Sequence, residues 1–368
     1  MLHRPFFIGS EIYRRSRYGA KHPLAIPRVS AAIDLCRALG WLADEIYIDS
    51  PIARPEQLLR FHTPDYIAAL QRAEAMQAVD EATAERHGLG RNGNPVFGEI
   101  FRRPATACGA TLKAVELLGD GGIVFSPAGG THHGRPDRAS GFCYLNDPAL
   151  GILAFLDAGV RPVYYVDIDA HHGDGVEEAF AGHPDVLTVS VHQEDLWPRT
   201  GSVTERRGGS ARNLPVPRGF HDGEMALILD QALVPLGQRL KPQAVVLQCG
   251  TDALADDPMS QLELSNAALW RVVAVMRDLA PRLLVLGGGG YNPWSVARGW
   301  AGVWATLNHR PIPAQLPEGA EAVLRGLDWQ RRRPDPRPEA WYTTLADRPS
   351  EGPVRTAIRD LIETVMAR

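Results

Sequence analysis

With 368 residues, 45% of them hydrophobic, the chain is long for one domain but within the range of a large α/β domain, and its apolar content excludes global disorder. A formal net charge of −4 lacks the basic footprint of a protein that grips nucleic acid through its phosphates. The four cysteines, Cys36, Cys108, Cys143 and Cys249, form no Cys-x-x-Cys pair. That argues against a disulfide framework or a Cys-type zinc site and for a reducing compartment. The apolar patch near the N-terminus is short for a signal peptide, and no run approaches the ~18 apolar residues of a membrane span. A soluble cytoplasmic protein, with no membrane or nucleic-acid partner, is expected.

In chain order, Phe6–Gly9 is an apolar run expected to form a first or edge strand. Arg28–Leu39 puts Val29, Ala32, Ile33, Cys36 and Leu39 on one helical face, with Gly40 as its stop. Glu45–Asp49 alternates like a short strand, and Thr63-Pro64 supplies an N-cap and first-turn proline for a helix to about Ala78. The polar, Gly- and Asn-rich stretch from Asp80 to Phe97 reads as a long loop. Gly98–Leu118 reads as a helix kinked or broken at Pro104.

From there the pattern is regular. Gly122–Phe125, Val163–Ile168, Val186–Val191, Ala244–Leu247 and Leu283–Leu286 read as strands. Asp147–Ala158, Val176–Ala181, Asp222–Leu240, Ser265–Leu279 and Pro293–Leu307 read as helices. The alternation predicts a three-layer α/β/α arrangement around a mainly parallel central sheet. Beyond Arg310 the chain is rich in Pro, Arg and Glu, including the run Arg331–Arg333, and reads as a solvated surface segment before a last amphipathic helix, Val354–Met366. One domain spanning 1–368 is expected, with a core of about 18–307 and the segment 311–368 packed on it.

Chemistry concentrates between Val163 and Gly175. An apolar strand runs straight into Asp167, Asp169, His171, His172 and Asp174, and in extended chain Asp167, Asp169 and His171 point the same way. No Lys or Arg in the stretch neutralises the acids, and a bound cation is the simplest remedy. Ligands of α/β sheets bind beyond the carboxyl ends of the strands. Three other candidate strands also end in reactive residues: Gly129-Gly130-Thr131-His132-His133, Gly250-Thr251-Asp252, and Gly287–Gly290 followed by Tyr291. Asp169, His171 and Asp252 make one imidazole and two carboxylates, the three-ligand set of a catalytic zinc site, although the ligand types also admit Fe(II), Co(II) or Mn(II). His132 and His133 are suited to acid/base work, with Asp167 and Asp174 as nearby acids to orient them. Tyr291 can donate to a developing oxyanion. A P-loop reading of Gly129–Gly134 fails because Arg135-Pro136 follows, and no Gly-x-Ser-x-Gly elbow exists. A metal-activated water is therefore favoured over a covalent serine.

Five stretches in this order resemble the zinc-dependent histone deacetylase family, in its class I-like and bacterial acetoin-utilisation-type members: Ala128–Gly134, Ser140–Asp147, Asp167–Phe180, Val246–Asp252 and Leu286–Tyr291. The likeness runs from about Tyr18 to Leu307. It implies an arginase/deacetylase-type fold and hydrolysis of an acylated lysine or a related aliphatic acylamine. It implies one zinc per chain on Asp169, His171 and Asp252. It makes His133 the general acid/base backed by Asp174, His132 its electrostatic partner backed by Asp167, and Tyr291 the carbonyl-polarising phenol. A structural potassium is implied at Asp167, the carbonyls of Asp169 and His171, and Ser190 with Val191. Gly141, Phe142, Trp197 and Met259 map to the acyl-lysine slot, and Arg28 to the acetate exit.

There are departures. Trp197 stands where a phenylalanine is usual, and Asn92 about where an aspartate grips the substrate backbone, which weakens the case for a peptide substrate. Arg135-Pro136-Asp137-Arg138 replaces a lysine-rich stretch and is expected to act on the rim without touching the catalytic set. Alternatives are an acetylpolyamine or other small-molecule amidohydrolase, and a ureohydrolase with two manganese ions.

Overall fold

Eight strands form one sheet: β1 (Phe6–Gly9), β2 (Tyr47–Asp49), β3 (Gly122–Ser126), β4 (Val163–Asp167), β5 (Val186–Gln193), β6 (Ala211–Val216), β7 (Ala244–Gln248) and β8 (Arg282–Leu286). The computed structural model describes residues 4–329 and 337–367. The strand order is β2-β1-β3-β8-β7-β4-β5-β6, and every pairing is parallel. Side chains of the inner strands alternate between two apolar layers. Tyr164 and Val166 join the layer that holds the helices Val29–Ala38, Asn266–Met276 and Pro293–Leu307. Val163 and Tyr165 join the layer under Arg102–Leu117 and Asp147–Asp157. A strand buried on both faces must be apolar at every position, which is why β4 reads as a continuous run.

The helix Pro293–Leu307 is buried nearly all round. Its Trp294, Trp300 and Trp304 are fully buried, and each indole N–H donates to a carbonyl, of Leu324, Cys249 and Trp41 respectively. Truncating one such tryptophan to alanine is expected to cost about 3–5 kcal/mol. Trp300 thereby ties the helix to the strand end that leads into Asp252.

Four expectations need correction. Residues 80–97 are not all loop: Glu81–His87 is a helix, whose N-cap Asp80 accepts from Thr83 N–H at 2.8 Å. Pro104 causes no kink, because the helix begins at Arg102 and a first-turn proline loses no bond. β6 was not foreseen, since Arg212 and Pro215 break its apolar pattern; as an edge strand paired only to β5 it tolerates them. The segment after Arg310 is not simply solvated: Glu318–Arg325 is a helix, and Trp329, Trp341 and Leu345 are buried in the main core. The expected run Arg331–Arg333 lies outside the described residues. The final helix, Thr356–Met366, buries Ile358, Ile362 and Val365 as its period requires.

Candidate active site

β3, β8, β7 and β4 are consecutive in the sheet, and their last residues are level: Ser126 pairs with Leu286, Leu286 with Gln248, and Gln248 with Asp167. The four loops singled out in the sequence therefore leave one edge side by side.

Asp169, His171 and Asp252 are buried, and their ligand atoms lie within 4.8 Å of one another. Each carboxylate has one oxygen occupied elsewhere. Asp169 Oδ2 accepts from Gln248 Nε2 at 2.8 Å and Gly289 N at 2.6 Å; Asp252 Oδ1 accepts from Ala170 N at 3.0 Å. The other oxygens converge on His171 Nδ1, Asp252 Oδ2 at 2.9 Å and Asp169 Oδ1 at 3.2 Å. Burial opposes a charged His171, yet the hydrogen bonds that its Nδ1–H donates to the two carboxylates push its pKa up to about 10. A pocket that draws a proton onto a buried imidazole is one that calls for positive charge, and one nitrogen with two carboxylate oxygens suits a divalent cation such as zinc. The backbone closes tightly around it: a Cβ on Gly289 would stand 2.0 Å from Asp252 Oδ2. Among the described residues this is the one such group of three, so the further ligands that a two-manganese site requires are not gathered there.

His132 and His133 follow Gly130, whose φ of +92° turns the chain sharply. The turn is held by buried Asp147, which accepts from Thr131 N at 2.9 Å and Gly130 N at 3.1 Å, and by Asn146 Nδ2, which donates to the Gly134 carbonyl at 2.9 Å. His132 Nδ1 donates to Asp167 Oδ2 and His133 Nδ1 to Asp174 Oδ1, both at 2.7 Å. Burial disfavours the His132 cation, but the charges of Asp167 and Asp169 outweigh it and raise its pKa to about 9. Burial and the positive charge on His132 lower that of His133 to about 3, against the pull of Asp174. Neutral His133 can accept a proton near pH 7.

Gly141, Phe142, Trp197, Met259 and Tyr291 line a cavity of about 800 Å3 that reaches His133 and His171. Trp197 stands edge-on to the His133 ring, 4.6 Å between centroids, and is 46% exposed, so it forms a lip. Gly141 has φ +52°, and a Cβ there would meet the Trp197 ring at 2.4 Å and His133 at 2.6 Å. Only glycine leaves the slot open. Tyr291 is buried, and burial keeps its phenol pKa well above the ordinary value, so it remains a donor. Asn92 lies exposed on the outer rim with φ +49°. Arg28 is not the surface residue that its bare sequence position suggests: its guanidinium lies over Trp300, donates to the Gly288 carbonyl, and lines a recess of about 70 Å3 that also reaches His132 and Asp169. Ser190 lies opposite Asp167 in the β4–β5 register, with buried Val191 next to it.

One expectation fails within the site. Arg135 is not confined to the rim: it pairs with Asp174 Oδ2 and Glu178, so it touches the carboxylate that supports His133. Other partners carried no sequence signal. Tyr165 donates to Asp167 at 2.6 Å, and Gln248 holds Asp169, but each reads as an ordinary strand residue. Asn94, in the turn Asn92-Gly93-Asn94, accepts from Phe142 N at 2.9 Å and fixes the slot wall.

A family model described as a histone deacetylase domain matches residues 22–307. The chain is 35% identical over 310 residues to histone deacetylase 8 of Xenopus tropicalis, covering 82% of this chain and 84% of that one. It is 30% identical over 349 residues to the acetoin utilization protein AcuC of Bacillus subtilis (strain 168), covering 91% and 89%. The crystal structure of an HDAC homolog from Aquifex aeolicus is similar with a TM-score of 0.94 at 35% identity, covering 99% of this chain and 100% of that chain. An HDAC homolog complexed with SAHA gives 0.93 at the same identity, covering 99% and 100%.

Proposed function

Since the chain belongs to the histone deacetylase family, we propose that this deacetylase is a zinc-dependent amidohydrolase that removes acetyl, or another short acyl group, from an acyl-lysine or a related aliphatic acylamine. The observation that carries the proposal is the convergence of Asp169, His171 and Asp252 beside His133 and Tyr291 at the foot of a slot walled by Gly141, Phe142 and Trp197. That a solved homolog is complexed with SAHA supports ligand binding by this fold.

Asp169, His171 and Asp252 would hold the zinc, which when bound supplies a Lewis acid and lowers the pKa of a water. His133 takes the proton from water through Nε2 and returns it to the departing amine, while Asp174 holds its Nδ1–H. His132, charged and backed by Asp167, stabilises the negative charge that builds on the reacting carbon's oxygens. Tyr291 donates its phenol hydrogen to the carbonyl oxygen as charge develops. The methylene chain has no polar group to satisfy and lies between Phe142 and Trp197, with Met259 beside it. Arg28, at the inner recess, would guide the released carboxylate. A potassium ion would brace the strand ends at Asp167, Ser190, Val191 and the carbonyls of Asp169 and His171.

Exposed Asn92 offers no carboxylate to grip a substrate backbone, which favours a small acylated amine such as an acetylpolyamine among the substrates. The four cysteines, all buried and free, support a reducing, cytoplasmic setting. We also treat residues 1–368 as one catalytic domain. Purified enzyme is tested against acetyl-lysine peptides and acetylated diamines, with and without chelator. The expected outcome is chelator-sensitive turnover, one zinc per chain, and a loss of about 100-fold or more for Tyr291→Phe with metal retained. Full activity of Tyr291→Phe overturns the assignment.

A further inference from the structure

Tyr291 follows Gly287–Gly290, of which Gly288 and Gly290 have φ +122° and +139°. Four residues without side chains let the loop pass close to Asp252 and Thr251, but they have nothing of their own to anchor it. The phenol can stand in one place only if the backbone is tied from outside. Asp169 and Arg28 hold Gly289 and Gly288, and the tie at Tyr291 itself comes from the loop after β7. That loop carries Asp252 at its start and Met259 of the slot wall, and between them Asp257 is buried, 6% exposed. Its two oxygens are used separately: Oδ1 accepts from Met259 N at 2.9 Å, and Oδ2 accepts from Tyr291 N at 2.6 Å. Two weaker ties flank it. Thr251 N donates to the Gly289 carbonyl at 2.9 Å, and Asn292 Nδ2 donates to the Asp256 carbonyl at 3.0 Å. Both are longer than the 2.6 Å Asp257 bond, and Gly289 N, which donates to Asp169 Oδ2 at 2.6 Å, ties the loop two residues before Tyr291.

We propose that Asp257 is a positioning residue: through its two oxygens it locks the Tyr291 backbone to the slot wall and so fixes where the phenol meets the substrate carbonyl. This rests on the assignment of Tyr291 as the donor to that carbonyl. No reacting group touches Asp257 itself.

Asp257→Asn separates the possibilities, because the amide keeps the shape but can accept only one of the two N–H groups, and its own NH2 opposes the other. The expected result is a fall in kcat on the order of 10- to 100-fold, with KM changed far less and zinc content unchanged. In a Tyr291→Phe background the same substitution should leave the residual kcat where it was, since there is no phenol left to misplace. Equal losses in both backgrounds, or full turnover by Asp257→Asn alone, overturn the proposal. Should the variant not fold, enzyme labelled with 15N-tyrosine gives a reading on the intact protein. The signal lost in Tyr291→Phe should lie far downfield of the other amides, as a hydrogen bond of 2.6 Å requires, and an ordinary shift overturns the tether. Absence of turnover by the unmutated enzyme on every acylamine would instead count against the deacetylase assignment, and the amide signal would still decide the tether.

Discussion

The two histidine–aspartate pairs share one hydrogen-bond geometry and differ in the charges around them. His132 and His133 are neighbours, their rings 4.0 Å apart, and each donates Nδ1–H to a carboxylate at 2.7 Å. Behind His132, Asp167 is wholly buried, and the Tyr165 hydroxyl and Asp169 N–H that it also accepts from are neutral. Its charge therefore falls on His132, which stays protonated to about pH 9 in spite of burial. Behind His133, Asp174 is shared with Arg135. Although burial works against it, His133 and Arg135 bring Asp174 down to about 2. His133, buried and facing a cation, remains neutral down to about pH 3. Equal hydrogen bonds thus go with one charged imidazole and one neutral one. What sets the difference is Asp169, whose charge adds to that of Asp167 on His132, and the His132 cation itself, which together with burial holds the proton off His133.

The comparison breaks most severely at the base itself. His133→Ala is expected to lower kcat/KM by roughly 1,000-fold with zinc retained, while His132→Ala, which removes charge stabilisation but leaves the base, costs less. Steady-state kinetics beside metal analysis checks the order, and a larger loss for His132→Ala would reverse the roles. A smaller effect sharpens it. Arg135→Gln leaves Asp174 wholly to His133, so the imidazole should hold its proton more tightly. The acidic limb of the kcat/KM profile then moves to higher pH, while turnover near neutrality changes little because His133 starts from about 3, and Arg135→Lys restores most of the shift. An acidic limb that stays in place would sever Arg135 from the base.

The smallest effect on turnover is expected at His62, whose Nδ1–H donates to the Arg135 carbonyl at 3.1 Å and whose Nε2 accepts from Asn146 N at 3.0 Å. Burial lowers its pKa to about 4. Between about pH 6.5 and 4 the unfolded chain takes up this proton and the folded one does not, so stability is lost as pH falls through that window, by up to about 3 kcal/mol, and no further below it. Urea unfolding at pH 7 and pH 5 should show a smaller pH-dependent loss for His62→Gln than for the unmutated protein. Equal losses would remove His62 as the source.

Much of this was legible beforehand because it rests on local pattern. Pro293–Leu307 and Phe6–Gly9 have the bounds that their periods predict, since a proline start and an apolar run specify themselves. The four reactive loops were also readable, because strand ends and glycines mark them. The partners were not. Arg135 looked like rim chemistry because nothing in its own neighbourhood shows that Asp174, 39 residues on, stands within reach. Asp257 reads as one acid in a polar loop until β7 and β8 are side by side. The buried Trp329 and Trp341 were hidden by the prolines and arginines around them, since composition averages over the residues that a core selects one by one.

The strand order has a consequence for how the molecule can be made. β7 and β8 are the last strands to leave the ribosome, yet they lie in the middle of the sheet, between β3 and β4. A nascent chain that ends at Lys241 carries both histidines, Asp169 and His171, but the strands that bear them have no shared edge until two more slot between them. The halves β2-β1-β3 and β4-β5-β6 can be joined into one sheet only after β7 and β8 have filled the space between them. The Asp169, His171 and Asp252 cluster and the Tyr291 side of the cavity are thereby completed only when the last two strands are in place.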